Sequence, residues 1–437
     1  MKNHRPFVVV ATAVFGVLVF QTTSLAQVTG ENATVVTLED ARQRALAVSP
    51  ARIAARGEAG VAAWSRRSAL TDLITPNVTA GTNYTSFSDP FFNPGTGDVS
   101  SSAASATLQA SYTIFGGGKF AALKRSRADL ERAAAGETAA DFHVTLKTDA
   151  AYYAVLADQE LKRVATARLE RADEQLSVAR SRAQTGYSIA TDSLQLLLEV
   201  NKARLELLRR DSALTVSRLR LGSLIGLTGA ADAAAIDSVV PPELPLTSEQ
   251  AVAELRTRGP GLVVARAAEQ QANAALAFER EAYLPAITLS AQTGAYDSQL
   301  FPSALNRSQF AVNVSLPIWN GGQRELSVAR ARAQRDVARA ERAERERAAA
   351  EEMVGAMNGY HTARSATELA QIGIVAATEN YRVQRARYRE GSTTILDLLE
   401  AQVALSEAES ALVQSRYAAR LALAQVEALL GRRVFDN

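Results

Sequence analysis

Residues 119–185 and 323–390 contain no proline and are dominated by Ala, Arg, Glu, Leu and Gln, with small or apolar residues recurring every three or four positions. That spacing marks an α-helix with one packed face. At 1.5 Å of rise per residue, a continuous helix of roughly 65 residues is near 100 Å long. Helices in globular domains average about 11–12 residues, so a compact domain has no use for either stretch. The pattern calls for a coiled-coil-like assembly of long helices lying side by side. Alanine-rich seams permit close approach, and the abundant Arg and Glu read as solvated faces with i,i+4 pairing.

The chain is also written twice. Thr37-Leu38-Glu39-Asp40-Ala41 recurs as Thr247-Ser248-Glu249-Gln250-Ala251, and Ser49-Pro50 as Gly259-Pro260. Leu73-Ile74-Thr75-Pro76 matches Ala282-Tyr283-Leu284-Pro285, and Ile114-Phe115-Gly116-Gly117-Gly118 matches Ile318-Trp319-Asn320-Gly321-Gly322. Gly186 with Asp192 matches Gly391 with Asp397, and Leu224-Ile225-Gly226 matches Leu429-Leu430-Gly431. Such self-similarity implies one structural unit used twice. The expected layout is a leader at 1–26, a first repeat at 27–228, a linker at 229–246 carrying Pro241, Pro242 and Pro245, and a second repeat at 247–437.

Each repeat predicts the same order: helix, strand, strand, very long helix, helix. The first helices are expected over 38–72 and 248–283, ended by Pro76 and Pro285, whose missing N–H stops a helical ladder. The strands alternate with period two. Phe310, Val312, Val314, Leu316 and Ile318 share one face, against Ala311, Asn313 and Ser315. Ala106, Leu108, Ala110, Tyr112 and Ile114 oppose Thr107, Gln109, Ser111 and Thr113, and Ile287, Leu289 and Ala291 oppose Thr288, Ser290 and Gln292. Residues 77–84 alternate more weakly. At roughly ten residues, such segments suit tilted membrane strands. The Pro-, Gly-, Ser- and Asn-rich stretches 88–102 and 297–307 read as external loops. The long helices stop at Gly186 and Gly391, and a second helix returns in each repeat.

Lys2 and Arg5, the apolar run from Phe7 to Phe20, and Ser24-Leu25-Ala26 predict a secretory leader cleaved before Gln27. Removing Lys2 and Arg5 leaves 46 basic residues against 46 acidic ones. A nucleic-acid binder needs a basic excess, and none is left. The chain has no cysteine, which excludes thiolate chemistry, Cys-based metal sites and a lipidated anchor. No later stretch approaches 18 consecutive apolar residues, so any membrane-inserted part must be a closed β-barrel. Four strands per chain cannot close one. Three chains would supply twelve strands, and the same threefold would gather twelve helices into a hollow cylinder.

With leader, tandem halves, Pro- and Gly-flanked strand pairs and long helices ending in a Gly…Asp tip, the sequence resembles the TolC family of outer membrane efflux proteins. The resemblance covers residues 38–431 and is most specific over 388–401. It implies a mainly α fold with a membrane β-barrel: tandem-repeat long coiled-coil helical hairpins plus four strands per chain, in a trimeric duct. It further implies outer-membrane lipid around the barrel and a helical tunnel across the periplasm. The tip, with Gly186, Ser188, Gly391 and Thr393, would contact a periplasmic adaptor (membrane fusion protein) bound to an inner-membrane pump. Carried across by position, Asp397 and Glu400 match acidic residues of a pore constriction. Tyr388 matches a Tyr linked in relatives to an Asp on the first hairpin, here Thr191-Asp192. Thr393 departs from the basic residue usual just before the acidic pair.

Asp192 and Asp397 also fit the plainer role of first-turn residues favoured by the helix dipole. Gly116-Gly117-Gly118-Lys119 lacks the spacing of a phosphate loop. His143 and His361 lie within the long helices without metal-ligand spacing. No enzyme, cofactor or metal is expected. The alternative function is a non-pore periplasmic coiled-coil scaffold or adaptor, which the four alternating segments oppose. Efflux and type I protein secretion remain open, because a passive duct carries what its pump delivers.

Overall fold

The computed structural model describes residues 33–92, 94, 97–184, 190–236, 242–298 and 304–435. The leader and the tip residues Gly186 and Ser188 lie outside that set. Strand β1 (Thr34–Val36) leads into α1 (Leu38–Val48), then α2 (Pro50–Ile74), β2 (Asn77–Phe92), β3 (Val99–Phe115), α3 (Lys119–Gln184) and α4 (Ala190–Leu224). After β4 (Ala231–Ala233), the order repeats as α5 (Ser248–Arg258), α6 (Pro260–Glu281), β5 (Ala286–Asp297), β6 (Leu305–Ser315), α7 (Gln323–Glu390) and α8 (Ile395–Leu430). Among the described residues, no helix is long and apolar enough to cross a membrane.

The first helix of each repeat is two helices rather than one. Ser49 and Gly259 adopt extended ψ angles of 122° and 123°, and Pro50 and Pro260 open the next helix at its first turn. A proline ring clashes with the preceding turn and has no N–H to donate, so it breaks a helix yet starts one well. Upstream, Thr37 accepts the amide of Asp40 at 3.2 Å, and Thr247 forms a reciprocal capping box with Gln250. The long helices have the predicted extent. Gly391, at φ +78°, closes α7 by donating to the carbonyl of Tyr388 at 3.1 Å, while the Ser392 amide reaches that of Arg387 at 2.9 Å.

Strands β2, β3, β5 and β6 form one antiparallel sheet in that order, which leaves β2 and β6 as its edges. The sheet overruns the expected loops: β2 extends to Phe92, β3 starts at Val99, and β6 starts at Leu305. Pro90 is tolerated because it falls inside the register shift between Ser86 and Phe91, where no ladder bond is asked of it. Within the interval 229–246, β4 pairs in parallel with β1, Val35 lying opposite Asp232.

Three cores stabilise the helices. Midway along α3, the fully buried Tyr152 packs with Val36, Ala41, Val155 and Leu221, and its hydroxyl donates to the Ala234 carbonyl at 2.7 Å. Burial pushes that phenol up to about 12. Midway along α7, Met353, Met357 and Tyr360 pack with Leu255, Leu262 and Val426. The third core lies near the far end, where both hairpins contribute. Each fully buried large side chain contributes roughly 1.5–3 kcal/mol of transfer free energy.

Candidate functional site

Four residues connect α7 to α8, and they are shaped by local hydrogen bonding. Thr394 is the N-cap of α8, its hydroxyl accepting the Asp397 amide at 3.3 Å. The Asp397 carboxylate answers through Oδ2, accepting from the Thr394 amide at 3.1 Å, the Thr394 hydroxyl at 2.7 Å and the Thr393 hydroxyl at 2.8 Å. Those three donors, with the Thr394 hydroxyl foremost, hold the Asp397 carboxyl below its ordinary value of 3.8. A depressed acid stabilises the fold above its unfolded value and loses that contribution as pH falls through the folded one. The cap is therefore intact at neutral pH and fails only on acidification below about 3.8. Asp397 thus fills the helix-start role open to it in the sequence, while Glu400 stands exposed three residues on.

The two hairpins meet behind this turn. Tyr381 and Tyr388 of α7 are buried against Leu176 and Ala179 of α3, Leu196 and Val200 of α4, and Leu398 and Leu405 of α8. Gln175 of α3 donates to the Tyr381 hydroxyl at 2.8 Å within this core. Arg182, two residues before the end of α3, lies with its guanidinium 5.5 Å from the Tyr388 ring centroid. It also donates to the Tyr388 carbonyl at 2.7 Å and to the Arg389 carbonyl. A cation on the last carbonyls of a helix meets the negative end of its dipole. Glu174 of α3 takes Arg385 and Arg389 of α7, the latter at 3.1 Å, and Arg171 forks onto Glu409 at 2.9 and 3.1 Å.

The structure places Tyr388, Gly391, Thr393, Asp397 and Glu400 around the end of α7 and the start of α8, and Thr191 and Asp192 in the first turn of α4. Arg182, Glu174 and Gln175 escaped the sequence reading. Gln175 and Arg182 gave one signal, as polar residues on the otherwise apolar face of Ala172, Leu176 and Ala179 close to the tip, whereas Glu174 lies on the exposed side of α3 and gave none. Among the described residues no cluster of His, Asp or Glu could hold a metal ion.

The sequence profile of outer membrane efflux proteins matches residues 41–227 and 251–432. The chain belongs to that family. Membership assigns it to the outer membrane. It is 25% identical over 269 residues to the toluene efflux pump outer membrane protein TtgC of Pseudomonas putida, covering 61% of this chain and 56% of that protein. It is 27% identical over 328 residues to the pyoverdine export outer membrane protein OpmQ of Pseudomonas aeruginosa, covering 72% and 67%. The chain therefore spans little more than half the length of relatives such as TtgC. The outer membrane channel CmeC of Campylobacter jejuni superposes with a TM-score of 0.78 at 18% identity, over 98% of this chain and 94% of that one. The open state of the Neisseria gonorrhoeae channel MtrE gives 0.75 at 20%, over 91% and 89%. At those identities the likeness is one of fold, and it extends over nearly the whole efflux-protein chain described here.

Proposed function

We propose that three copies of this chain form a passive duct. Their sheets close a barrel in the outer membrane, and their long helices enclose a tunnel from the periplasm. The carrying observation is the four-stranded sheet with unpaired edges at β2 and β6. Strand edges in lipid must be satisfied, and cyclic repetition of the sheet satisfies them all. The export functions named for TtgC and OpmQ favour small-molecule efflux over protein secretion. The helical tip would dock a periplasmic adaptor that couples the duct to an inner-membrane pump. Catalysis has no part in this reading. Heat-modifiable migration of a detergent-extracted trimer, with pores in a planar bilayer, tests it; a soluble stalk would show neither.

Facing follows from the barrel. Leu108, Val312 and Val314 are 49%, 57% and 65% exposed in the single chain, as lipid-facing side chains would be. Arg at any of them is expected to cost about 2–4 kcal/mol per chain near the bilayer midplane and to depress trimer yield. Gln109→Arg should be tolerated. Equal yields at Leu108 and Gln109 would reverse the facing.

A photo-crosslinker at Thr393 is expected to capture a periplasmic protein in cells, whereas one on the membrane strands at Ser100 should not. Recovery from Ser100 alone would place docking elsewhere.

The exposed pair Asp397 and Glu400, repeated by three chains, would present six carboxylates around one mouth and attract cations. Asp397→Ala with Glu400→Ala is expected to lower cation selectivity and block by multivalent cations in bilayer recordings. Unaltered selectivity would leave Asp397 with its capping role alone.

A further inference from the structure

Charge is almost absent from the sheet. Among the residues that its ladders pair, only Asp297 and Arg307 carry a charged side chain. Asp297 lies opposite Ala104, on the face that holds Leu108 and Val312, and is 4% exposed. Arg307 lies opposite Gly294 on the other face, with Thr107, Gln109, Gln292 and Gln309, and it is exposed. It is the third residue of β6, so it sits at the end of the sheet remote from α7. In a barrel whose lipid face holds Leu108, Val312 and Val314, this guanidinium belongs to the lumen wall.

Its surroundings are organised by hydrogen bonds. Gln309 donates through Nε2 to Oε1 of Gln292 across the ladder at 3.1 Å, and Gln292 donates to the Tyr296 hydroxyl at 3.4 Å. The Tyr296 ring leans back along its own strand over Gly294. A Cβ on that glycine would stand 3.1 Å from Cε2 of the ring and 3.0 Å from Cγ2 of Thr107, so only a residue without one fits unstrained. Gly294 is accordingly buried although it belongs to an open face. Same-face residues along a strand are about 7 Å apart, which lays Gln292, Gly294 and Tyr296 along roughly 14 Å, with Gln309 and Arg307 beside them on β6. Arg307 donates to the Pro94 carbonyl of the β2–β3 connection at 2.6 Å. That bond positions the guanidinium and uses one of its five N–H donors. The Tyr296 hydroxyl, which accepts from Gln292, retains its own hydrogen to donate.

Building on the duct proposed above, we infer that Arg307, Tyr296, Gln292 and Gln309 form a lumenal subsite, one per chain, for organic anions that carry an aromatic ring. The guanidinium fork matches a carboxylate or sulfonate. The tyrosine offers a ring to stack on, and the amide row meets polar substituents. Three guanidiniums around one pore with a low-dielectric wall raise the local concentration of anions. The paired residues of this face include no acid to cancel them. Its sign is opposite to that of Asp397 and Glu400 at the tip, so the two sites act on different ions.

Blocking of single pores in a planar bilayer tests this, with two trianions added on the side of the strand connections: naphthalene trisulfonate, which has a ring, and tricarballylate, which has none. Naphthalene trisulfonate is expected to block the parent pore at the lower concentration. Arg307→Gln should raise the half-blocking concentration of both anions about tenfold, the worth of one charge-assisted hydrogen bond. Arg307→Lys keeps the charge without the fork and should fall between. Tyr296→Leu should raise that of naphthalene trisulfonate about fivefold, as loss of an aromatic contact would, and leave tricarballylate block as in the parent. A merely structural role for Tyr296 would move both anions together. Should Arg307→Gln fail to assemble, Arg307→Lys and Tyr296→Leu carry the comparison. Parent-like block of every variant would overturn the subsite while leaving the duct intact. Equal loss of both anions in Tyr296→Leu would overturn the preference for aromatic anions. Absence of pores from the parent protein would overturn the duct itself, and the subsite with it.

Discussion

Asp149→Ala is expected to destabilise the fold by about 3 kcal/mol and to loosen α1 from the long helix it crosses. The Arg42 guanidinium of α1 forks onto both oxygens of Asp149 on α3, each at 2.7 Å. The two side chains are 13% and 3% exposed. Burial pushes the Asp149 carboxyl upward, and the Arg42 fork opposes that push. Removing the carboxylate strands a desolvated guanidinium whose remaining acidic neighbours include Glu39 at 3.8 Å and Glu427. A buried cation without its partner is the costly outcome; exchanging both partners for apolar residues is not. Arg42→Met with Asp149→Leu should thus recover most of the loss, which a double-mutant cycle would read as strong coupling. The damage should spread, because Glu39 also takes Arg433 at 2.9 Å, and Arg432 beside it forks onto Glu254 of α5. These carboxy-terminal arginines tie the first helices of both repeats into one belt around the midpoint of the long helices. Urea unfolding with proteolysis near Ser49 measures the effect. A parent-like midpoint for Asp149→Ala would show the belt to be dispensable.

What the sequence disclosed and what it hid divide along a physical line. The bounds of α7 could be read because local facts set them: no proline within, Gly322 before, Gly391 after. The duplication and strand alternation were legible for the same reason. The breaks at Pro50 and Pro260 were signalled by the prolines themselves, yet apolar periodicity runs through both and suggested one helix. Strand ends were misplaced because Ser, Asn and Pro at 88–102 read as loop, whereas the sheet tolerates them where register shifts or edges leave the backbone unpaired. Partners remote in sequence were out of reach. Arg182 and Tyr388 are 206 positions apart, and Arg433 and Glu39 394. Charge patterning on a helix shows that an arginine is available, not which carbonyl it will find.

Arg182→Ala is expected to open the tip. If the duct closes by drawing hairpins together, the contacts holding α7 to α3 near Tyr388 set the closed population. Thr393 leaves the expected basic residue missing from the α7–α8 turn, but Arg182 brings a guanidinium from the other hairpin to the last carbonyls of α7. Hydrogen bonds to charged groups contribute roughly 1.5–3 kcal/mol when well sheltered. Arg182 is only half-buried, so about 1 kcal/mol per chain is the reasonable figure after solvent screening. Three chains acting together would shift the ratio of open to closed tips roughly a hundredfold, at 1.4 kcal/mol per tenfold. Resting conductance in a planar bilayer should rise accordingly. Arg182→Lys keeps the charge but not the planar fork that reaches two carbonyls, and should fall between parent and alanine variant. Tyr388→Phe retains both the ring face and the carbonyl, so its effect should be the smaller one. Asp192→Ala should also be modest, because the tie through Arg182 survives it. Should Arg182→Ala form stable trimers that rest as tightly closed as the parent, the arginine is packing for the helix end, and the closed state is held by another contact.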